Sequence, residues 1–381
     1  MDSQIKLYDS TNIDDLFWPD TEDAYYARMY LVQMIKNGVS AYINNIQTEL
    51  KIITIDNLAL PITINNAEYS NSYVCSPYTH YVTYAIEELK ALKSPVVEAI
   101  LSCIIRILGI ILKLGQINKV IHVNNWLIST NLYPELSGDQ IRKITSFLKT
   151  KYPDHTIVFR SVNDYAYPNL TEKFQECGYR LIASRQVYFL DKDLIRGKAK
   201  WLIKKDFKLL DENRYKLLEP KELTQDDIAR IRELYNYLYL DKYSLANPQF
   251  NCNFIELALR DSILNIRAFK KDEKIDAVLG YFNRNGVMTT PLFGYDTNLP
   301  INTGLYRMLS AQLIKESEKL GLLLNQSSGA ASFKRCRAST GHIEYNAIYN
   351  EHLSFKRRFC WSILEVMLNR LGISLLKNHN L

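Results

Sequence analysis

Recognisable cysteine patterns are missing from this 381-residue sequence. Its six cysteines, at positions 75, 103, 177, 252, 336 and 360, form no CxxC pair and no zinc-finger spacing. A disulfide framework and a structural zinc site are therefore not expected. We expect reduced thiols, a cytoplasmic protein and no metal cofactor.

Targeting and membrane signals are also weak. The first residues are acidic and polar, whereas a secretory signal needs basic residues followed by an apolar run. The most apolar stretch, residues 96–114, is interrupted by Glu98, Arg106 and Lys113, which would be costly inside a bilayer. We expect a buried or amphipathic helix there rather than a membrane span.

The charge excess is small and uneven. A net charge of +6 is less than a dedicated nucleic-acid-binding protein usually carries, which argues against a nucleic-acid partner. Basic residues nevertheless cluster in residues 192–216 and 331–360. Each cluster is either a solvated face or a surface that receives phosphates or an acidic carrier protein.

The hydrophobic content of 47% is enough for a sizeable core, and the length favours two domains. Apolar periodicity predicts an N-terminal helix within residues 23–46 and another over residues 81–92. A regular pattern then begins at residue 120. It predicts a strand over 120–128, a helix over 139–151, a strand over 156–160, a short helix over 168–177 and a strand over 180–190.

The same order of elements returns in the second half. Residues 286–295 are a predicted strand, 305–320 a helix, 322–326 a strand, 333–337 a short helix and 342–350 a strand. Equivalent points such as Gly138 and Gly304 lie about 166 residues apart. This spacing indicates a tandem duplication.

Further elements complete the second half. Thr224 and Asp227 have the spacing of a capping box for a helix reaching Leu240. Two strands, over 264–270 and 275–283, are separated by a turn at 271–274. We divide the chain into an N-terminal elaboration (1–60), a first domain (61–191), a basic connector (192–220) and a second domain (221–381).

Residues 264–350 resemble the C-terminal domain of the FemAB-like branch of the GNAT superfamily. The resemblance is carried by Tyr295-Asp296, by Thr303-Gly304 and by Gly329 followed by Phe333-Lys334. It implies an α/β fold of two tandem GNAT-like domains, each a mixed, mainly antiparallel sheet flanked by helices. It also implies an acyltransferase with its donor site in the second half.

The donor site is predicted at the loop that opens the helix at 305–320. A helix N-terminus offers unpartnered amides and a positive dipole end to a phosphate. The predicted donor-binding residues are Leu299, Asn302, Thr303, Gly304 and Arg307. The donor implied is acyl-CoA or a phosphopantetheine-linked acyl group on a carrier protein; an ordinary strand-to-helix turn is the alternative interpretation.

Candidate catalytic residues lie on two strands of the second half. A base or water relay must deprotonate the attacking amine, for which the candidates are Asp296, His342 and Glu344. Tyr295 or Tyr345 could protonate the leaving thiol. Tyr295, Ser328 and Lys334 are the predicted substrate-binding residues, because the resemblance places the lysine near the acceptor pocket.

One motif in the first half of the chain has no counterpart in the segment that resembles the FemAB-like family. Residues 73–81 read YVCSPYTHY and contain Cys75 and His80. Three interpretations are open: the two side chains form a thiol–imidazole pair, they line a cleft between the domains, or they belong to the start of a helix and pack in the core. We include both residues among the substrate-binding candidates.

The preferred function is transfer of an acyl group, including a fatty acyl group, to a primary amine of a peptide or amino acid of the lysine or ornithine type. One alternative is aminoacyl transfer from an aminoacyl-tRNA, as in FemAB-like enzymes. The other is a non-catalytic tandem domain that binds a peptide or a carrier protein.

Overall fold

A computed structural model describes residues 5–89 and 94–373 of the chain. Twelve strands occupy these residues: β1 (Lys6–Tyr8), β2 (Glu49–Ile55), β3 (Leu58–Asn65), β4 (Val120–Val123), β5 (Thr156–Val162), β6 (Arg180–Leu190), β7 (Lys216–Leu218), β8 (Asn265–Lys271), β9 (Lys274–Arg284), β10 (Val287–Tyr295), β11 (Leu323–Asn325) and β12 (Ser339–Tyr349). They form one sheet in the order β1-β2-β3-β4-β5-β12-β6-β11-β10-β9-β8-β7.

Eleven α-helices accompany the strands in the described residues: α1 (Glu22–Asn37), α2 (Ala85–Glu88), α3 (Pro95–Leu114), α4 (Gly138–Lys151), α5 (Leu170–Glu176), α6 (Gly197–Glu212), α7 (Ile228–Asn236), α8 (Cys252–Arg260), α9 (Leu305–Leu320), α10 (Ala331–Arg335) and α11 (Phe355–Met367). Wider π-helical turns precede α2 at Thr79–Tyr84 and follow α7 and α11 at Tyr237–Tyr243 and Leu368–Gly372. The last residues of the helix predicted over 81–92 lie outside the described residues.

Local sequence signals account for many element boundaries. Thr21 and Ser137 accept hydrogen bonds from the first turns of α1 and α4, and Thr224 with Asp227 forms the predicted capping box. Asn285-Gly286 connects β9 to β10 with positive φ at both residues, as a tight hairpin turn requires. The boundary predicted between residues 60 and 61 falls inside β3.

Two parallel strand pairs mark the duplicated units. Val120 of β4 pairs with Thr156 of β5, and Val287 of β10 pairs with Leu323 of β11, so both members of the pair shift by the same 167 positions. The first copy is β4-α4-β5-α5-β6 and the second is β10-α9-β11-α10-β12. Neighbouring strands elsewhere in the described sheet are antiparallel. The predicted fold class, a mixed and mainly antiparallel sheet flanked by helices in two copies, is confirmed.

The copies exchange their last strands. β12 of the second copy lies between β5 and β6 of the first, and β6 in turn lies between β12 and β11. β6 and β12 run antiparallel along nearly their full length, from Ser339 opposite Leu190 to Ile348 opposite Arg180. The sheet is therefore continuous across both halves of the chain.

Alternation along the strands separates the core into layers. Ile157 and Phe159 of β5 join a large cluster beneath α1, α4, α5, α7 and α8, whereas Val158 points to the opposite face. On that opposite face the core is divided in two. One cluster packs under α6 and α9, and the other packs under α3 of the first half and α11 of the second. Several residues of both clusters also line the pocket described next.

The structure corrects one prediction and refines another. The strand predicted over 120–128 ends at Val123, because Asn124 and Leu127 adopt positive φ and the Asn124 side chain donates to the Leu132 carbonyl. The helix at 95–114 forms, but only Leu108, Gly109 and Leu112 in it are buried. Of the two expected forms, a buried or an amphipathic helix, the structure shows a helix that is buried along one side only.

Candidate active site

The strands β10 and β11 separate after three paired positions. Val287–Thr289 pair with Leu323–Asn325, and there the parallel pairing ends. The next residues of β10 are Thr290 and Pro291, where the β9 register also shifts. Proline has no N–H to give to a neighbouring strand, so it ends the ladder at this point. β10 continues along β9, whereas the chain after Asn325 follows Tyr188 of β6.

A pocket of about 540 Å³ fills the space between the diverging strands. Thr290 and Phe293 line it from β10, and residues 326–329 line it from the segment after β11. Six tyrosines add to its wall: Tyr73, Tyr81, Tyr84, Tyr239, Tyr243 and Tyr306. Both halves of the chain therefore contribute to one site, whose size suits a small-molecule ligand or the reactive end of a larger one.

The equivalent space in the first copy is filled. Residues 124–134, which follow β4, are all buried. Trp126 stacks on Tyr30, and the Arg284 guanidinium lies 4.1 Å from the Trp126 ring centroid. Among the described residues, the second copy thus has an opening beside its parallel strand pair, whereas the equivalent space in the first copy is filled.

Cationic groups outnumber acidic ones in the pocket. Arg185, Lys242 and Lys334 line it, against Glu87 and Glu88. The carboxylate nearest to Arg185 is Glu344, which accepts a hydrogen bond of 2.9 Å from Arg185 Nε. Arg185 Nη2 also donates to the Ser129 carbonyl and the Thr130 hydroxyl.

A second arginine increases the positive charge behind this wall. Arg160 is buried and donates to Asn125 Oδ1 and to the same Ser129 carbonyl, without a carboxylate partner among the described residues. Two arginines therefore have one carboxylate nearby, Glu344, which is bound to Arg185. Such an excess of buried positive charge favours an anionic group of a ligand.

Lys334, one of the predicted substrate-binding residues, lines the pocket. Its Nζ donates to the carbonyl oxygens of Gln326, Ser327 and Ser328. Burial and the nearby Arg185 guanidinium lower the pKa of Lys334 to about 7. The three carbonyl contacts hold the segment 326–329 in place, so Lys334 shapes the opening beside β10.

Glu88 is the best-placed proton acceptor. Its side chain lines the pocket, where desolvation by the surrounding protein raises its pKa to about 7, while Arg185 opposes the shift and Glu87 adds to it. A carboxylate with a pKa near the working pH is suited to accept a proton from an amine.

Cys75 and His80 are not brought together in the way the thiol–imidazole interpretation requires. His80 lines the pocket, and its Nε2 lies 3.0 Å from the Ser184 hydroxyl. The Cys75 thiol is fully buried beside Asn125, and burial raises its pKa to about 12. A thiol of this kind is inert, so the prediction that Cys75 binds substrate has no geometric support.

Asp296 has the contacts of a structural carboxylate. It accepts hydrogen bonds from Arg230 Nη2 at 2.7 Å and Lys274 Nζ at 3.0 Å. Although burial opposes the effect, these partners hold the pKa of Asp296 below its usual range. Such a weak base, outside the pocket lining, does not fit the role of general base predicted for it.

The other catalytic candidates also lie away from the pocket lining. His342 stacks on Tyr165 at 3.9 Å between ring centroids, and burial lowers its pKa. Tyr345 lies on β12, where burial raises its pKa. Tyr295 accepts a hydrogen bond from Lys242, and Glu344 reaches the pocket only through Arg185. Ser328, Lys334 and His80 are the predicted site residues that line the pocket directly.

The predicted donor loop lies directly before α9, whose second residue, Tyr306, lines the pocket. Leu299 packs with the core of the second half, Asn302 is exposed, and Thr303 is half-buried before Gly304. Gly304 has φ of +75°, and a Cβ placed on it would lie 3.0 Å from Leu209 of α6. Arg307 Nε donates to Asp206 of α6 at 2.7 Å, and Arg337 pairs with the same carboxylate. Helix α6 therefore covers part of this loop, and the donor assignment stays a prediction.

Sequence reasoning missed several residues of the pocket. Arg185, Glu88 and Lys242 come from β6, α2 and the turn after α7, which are far apart in the chain. A usable signal was Pro291 inside a strand that otherwise reads as central, because it marks the strand separation. No group of three His, Cys, Asp or Glu side chains suited to a metal occurs among the described residues.

Comparison with known proteins gives structural neighbours only. No family model matches the chain, and no curated protein does either. The chain is similar to L-PGS from Bacillus licheniformis, with 15% identity over 60% of this chain and 78% of that one, at a TM-score of 0.44. It is also similar to FemX, with 6% identity over 60% and 79% and a TM-score of 0.43. A GCN5-related N-acetyltransferase from Kribbella flavida shows 9% identity over 61% and 82%, with a TM-score of 0.32. FemX and a GCN5-related N-acetyltransferase are thus among the structures found.

Proposed function

We propose that the protein is an N-acyltransferase that moves an acyl group from a thioester to a primary amine. The observation that carries the proposal is the separation of β10 from β11, which opens a pocket of about 540 Å³ at the parallel strand pair. Backbone groups freed at such a separation are available to an extended donor arm. The acyl group is held among the pocket tyrosines.

The reaction is direct. The amine nitrogen attacks the thioester carbonyl carbon, the carbon–sulfur bond breaks, and Glu88 accepts the proton that the nitrogen loses. The leaving thiolate takes a proton from a tyrosine such as Tyr306, whose pKa is raised by burial so that its hydroxyl stays protonated. The donor is acyl-CoA or an acyl carrier protein.

The acceptor is an amino acid or a peptide residue of the lysine or ornithine type. Its carboxylate, or another anionic group of the substrate, binds beside Arg185 and Lys334, where positive charge is in excess. Its amine then lies toward Glu88. This arrangement, with positive groups at one end of the site and Glu88 at the other, distinguishes the site from one that would bind an aliphatic amine without an anionic group.

The test is turnover with a matched pair of acceptors. We expect acylation of lysine or ornithine from an acyl-CoA, and at least tenfold lower kcat/KM with cadaverine or putrescine, which lack the carboxylate. Lys334→Met should lower kcat/KM for both acceptors, because it removes a positive charge and also releases residues 326–328 from their contacts with Nζ. Equal use of both acceptors would contradict the assigned orientation, and no turnover with any thioester would contradict the reaction.

A second candidate is aminoacyl transfer from an aminoacyl-tRNA. It is favoured by α6, which contacts α9 and carries five exposed lysines: Lys198, Lys200, Lys204, Lys205 and Lys208. Such a row of charges suits a phosphate backbone. Tight binding of tRNA that weakens steeply with salt would support this candidate over the thioester donor.

A further inference from the structure

Helix α3 presents an apolar stripe to solvent. Val96, Ile100, Cys103, Ile107, Ile110 and Leu114 recur at spacings of four and three residues, which places them on one side of the helix. Their exposure is high, for example 69% at Val96 and 62% at Ile110 and Leu114. The side of α3 that packs on the protein is the opposite one, with Leu108, Gly109 and Leu112.

The stripe is unusual in length and composition for an exposed helix. α3 has 20 residues, and it is the one helix among the described residues that is long and apolar enough to cross a membrane. Its charged residues, Glu98, Arg106 and Lys113, are spaced so that they share a single flank. A helix that is attached along one side and apolar on the other is suited to lie in the plane of a membrane surface.

Neighbouring residues extend this surface with positive charge. The Cys360 thiol of α11 donates to the Ile111 carbonyl, so α11 lies against α3. α11 exposes Phe355 and Phe359, which stack on each other. Lys356 and Arg358 lie beside them, exposed and without an ion pair among the described residues. Aromatic rings with basic residues around them are typical of surfaces that bind anionic lipid.

A second copy of the chain fits the stripe less well. Arg106 and Lys113 lie on one flank of it, while Val97 and Ile104 lie on the other. In an antiparallel pair of α3 helices the charged flanks would face each other, so that Glu98 could pair with Lys113 of the second copy, but the two Arg106 side chains would lie opposite each other. In a parallel pair the charged flank would face apolar residues and none of its charges would be paired.

We infer that α3 and α11 seat the protein on the surface of an anionic lipid bilayer. Ile105 of α3 and Leu368, which follows α11, both line the pocket, so its wall includes the elements that would rest on the lipid. A substrate with an acyl chain would then reach the pocket from the membrane. This last point rests on the proposed function, whereas the binding to lipid does not.

Vesicle sedimentation with the full chain tests the inference. We expect sedimentation with phosphatidylcholine vesicles that contain about one third phosphatidylglycerol, and much less with phosphatidylcholine alone. The double variant Ile107→Asp/Ile110→Asp should bind at least tenfold more weakly. The double variant Lys356→Glu/Arg358→Glu should also bind the vesicles more weakly. Removal of each positive charge should lower the affinity roughly fivefold, and replacing it with a negative charge should lower the affinity further. Phe17→Asp, at an apolar residue that is 96% exposed and lies before α1, is the matched control and should bind like the wild type.

Three outcomes would overturn the inference. The wild type could stay in the supernatant with both vesicle types, or the α3 variant could sediment as well as Phe17→Asp. The wild type could also form a lipid-independent dimer that Ile107→Asp/Ile110→Asp converts to a monomer, which would assign the stripe to a second copy. Circular dichroism confirms that the variants are folded. The α3 variant should turn over soluble substrates as the wild type does. Turnover therefore distinguishes a failure of lipid binding from a failure of the proposed function.

Discussion

Arg185 Nε lies 2.9 Å from the Glu344 carboxylate, and the two residues hold the same position in the two copies. β6 and β12 are both eleven residues long, Arg185 and Glu344 are the sixth residue of each, and they face each other in the antiparallel register. The equivalent strands of the duplicated units thus meet at an ion pair, and the positive member of that pair lines the pocket.

Removing Arg185 should destabilise the protein strongly. In Arg185→Ala the carboxylate of Glu344, which is 2% exposed, would remain buried without its partner. We expect the free energy of unfolding in urea to fall by about 3–5 kcal/mol. The double variant Arg185→Met/Glu344→Leu should regain much of the loss, because neither member of the ion pair is left buried alone, although Arg160 then lacks its nearby carboxylate. A double variant as unstable as the single one would contradict this account.

Glu88→Gln should lower kcat/KM by roughly 100-fold or more, as removal of a general base does. In the wild type, the pH profile of kcat/KM should show a rise with an apparent pKa of about 7 in addition to the rise caused by deprotonation of the substrate amine, because desolvation raises the pKa of Glu88 to that value and the carboxylate is the active form. The variant should lack this rise. Glu87→Gln is the matched control, and a larger effect there would assign the base to Glu87.

Stability should fall in mild acid because of the buried histidines. Burial, with Arg160 and His80 nearby, lowers the pKa of His122 well below its usual value. Between that lowered pKa and about 6.5 the unfolded chain binds a proton that the folded protein does not. The free energy of unfolding should therefore decrease below pH 6.5, and His122 should contribute to that decrease. His122→Leu should show a shallower decrease, and an identical pH dependence in both proteins would contradict the prediction.

The donor loop can be tested without replacing Gly304. That residue has positive φ and a close neighbour in Leu209, so a side chain there would disturb the fold as well as the site. Asn302 is exposed, and Asn302→Asp adds a negative charge near the start of α9. We expect at least tenfold weaker binding of acyl-CoA in calorimetry, with Phe17→Asp unchanged. Unaltered affinity would place the donor phosphates elsewhere.

Transfer should proceed without an acyl-enzyme. The Cys75 thiol is buried and its pKa is raised to about 12, so the thiolate is scarce at neutral pH. Intact mass should be unchanged after incubation with acyl-CoA alone, and Cys75→Ala should retain turnover. A mass increase that is absent in Cys75→Ala would show a covalent step at this residue.

Local sequence patterns predicted the repeated units well. Alternating residues, glycine turns and helix caps lie close together in the chain, and so the order of strands and helices in both copies could be identified. The parallel pairing of β10 with β11 follows from that order. The exposed apolar face of α3 could not be predicted, because hydrophobic periodicity alone does not tell which side of a helix meets the protein.

The site was predicted only in part for a related reason. Lys334 and Ser328 lie in the segment of the chain that resembles the FemAB-like domain, and His80 belongs to a local motif. Arg185 becomes part of the pocket only because β6 inserts between β11 and β12, and that pairing joins residues more than 130 positions apart. Asp296 has the right chemistry for a base, but Arg230, 66 positions earlier, engages it.

The exchange of β6 and β12 has a consequence for biosynthesis. When β5 and β6 have left the ribosome, the strand that belongs between them is still about 150 residues from being made. Until β12 arrives, both strands have open hydrogen-bonding edges, which can pair with other nascent chains. The first half therefore cannot complete its sheet during translation, and truncated chains that end before residue 339 should aggregate or depend on chaperones rather than accumulate as a folded N-terminal domain.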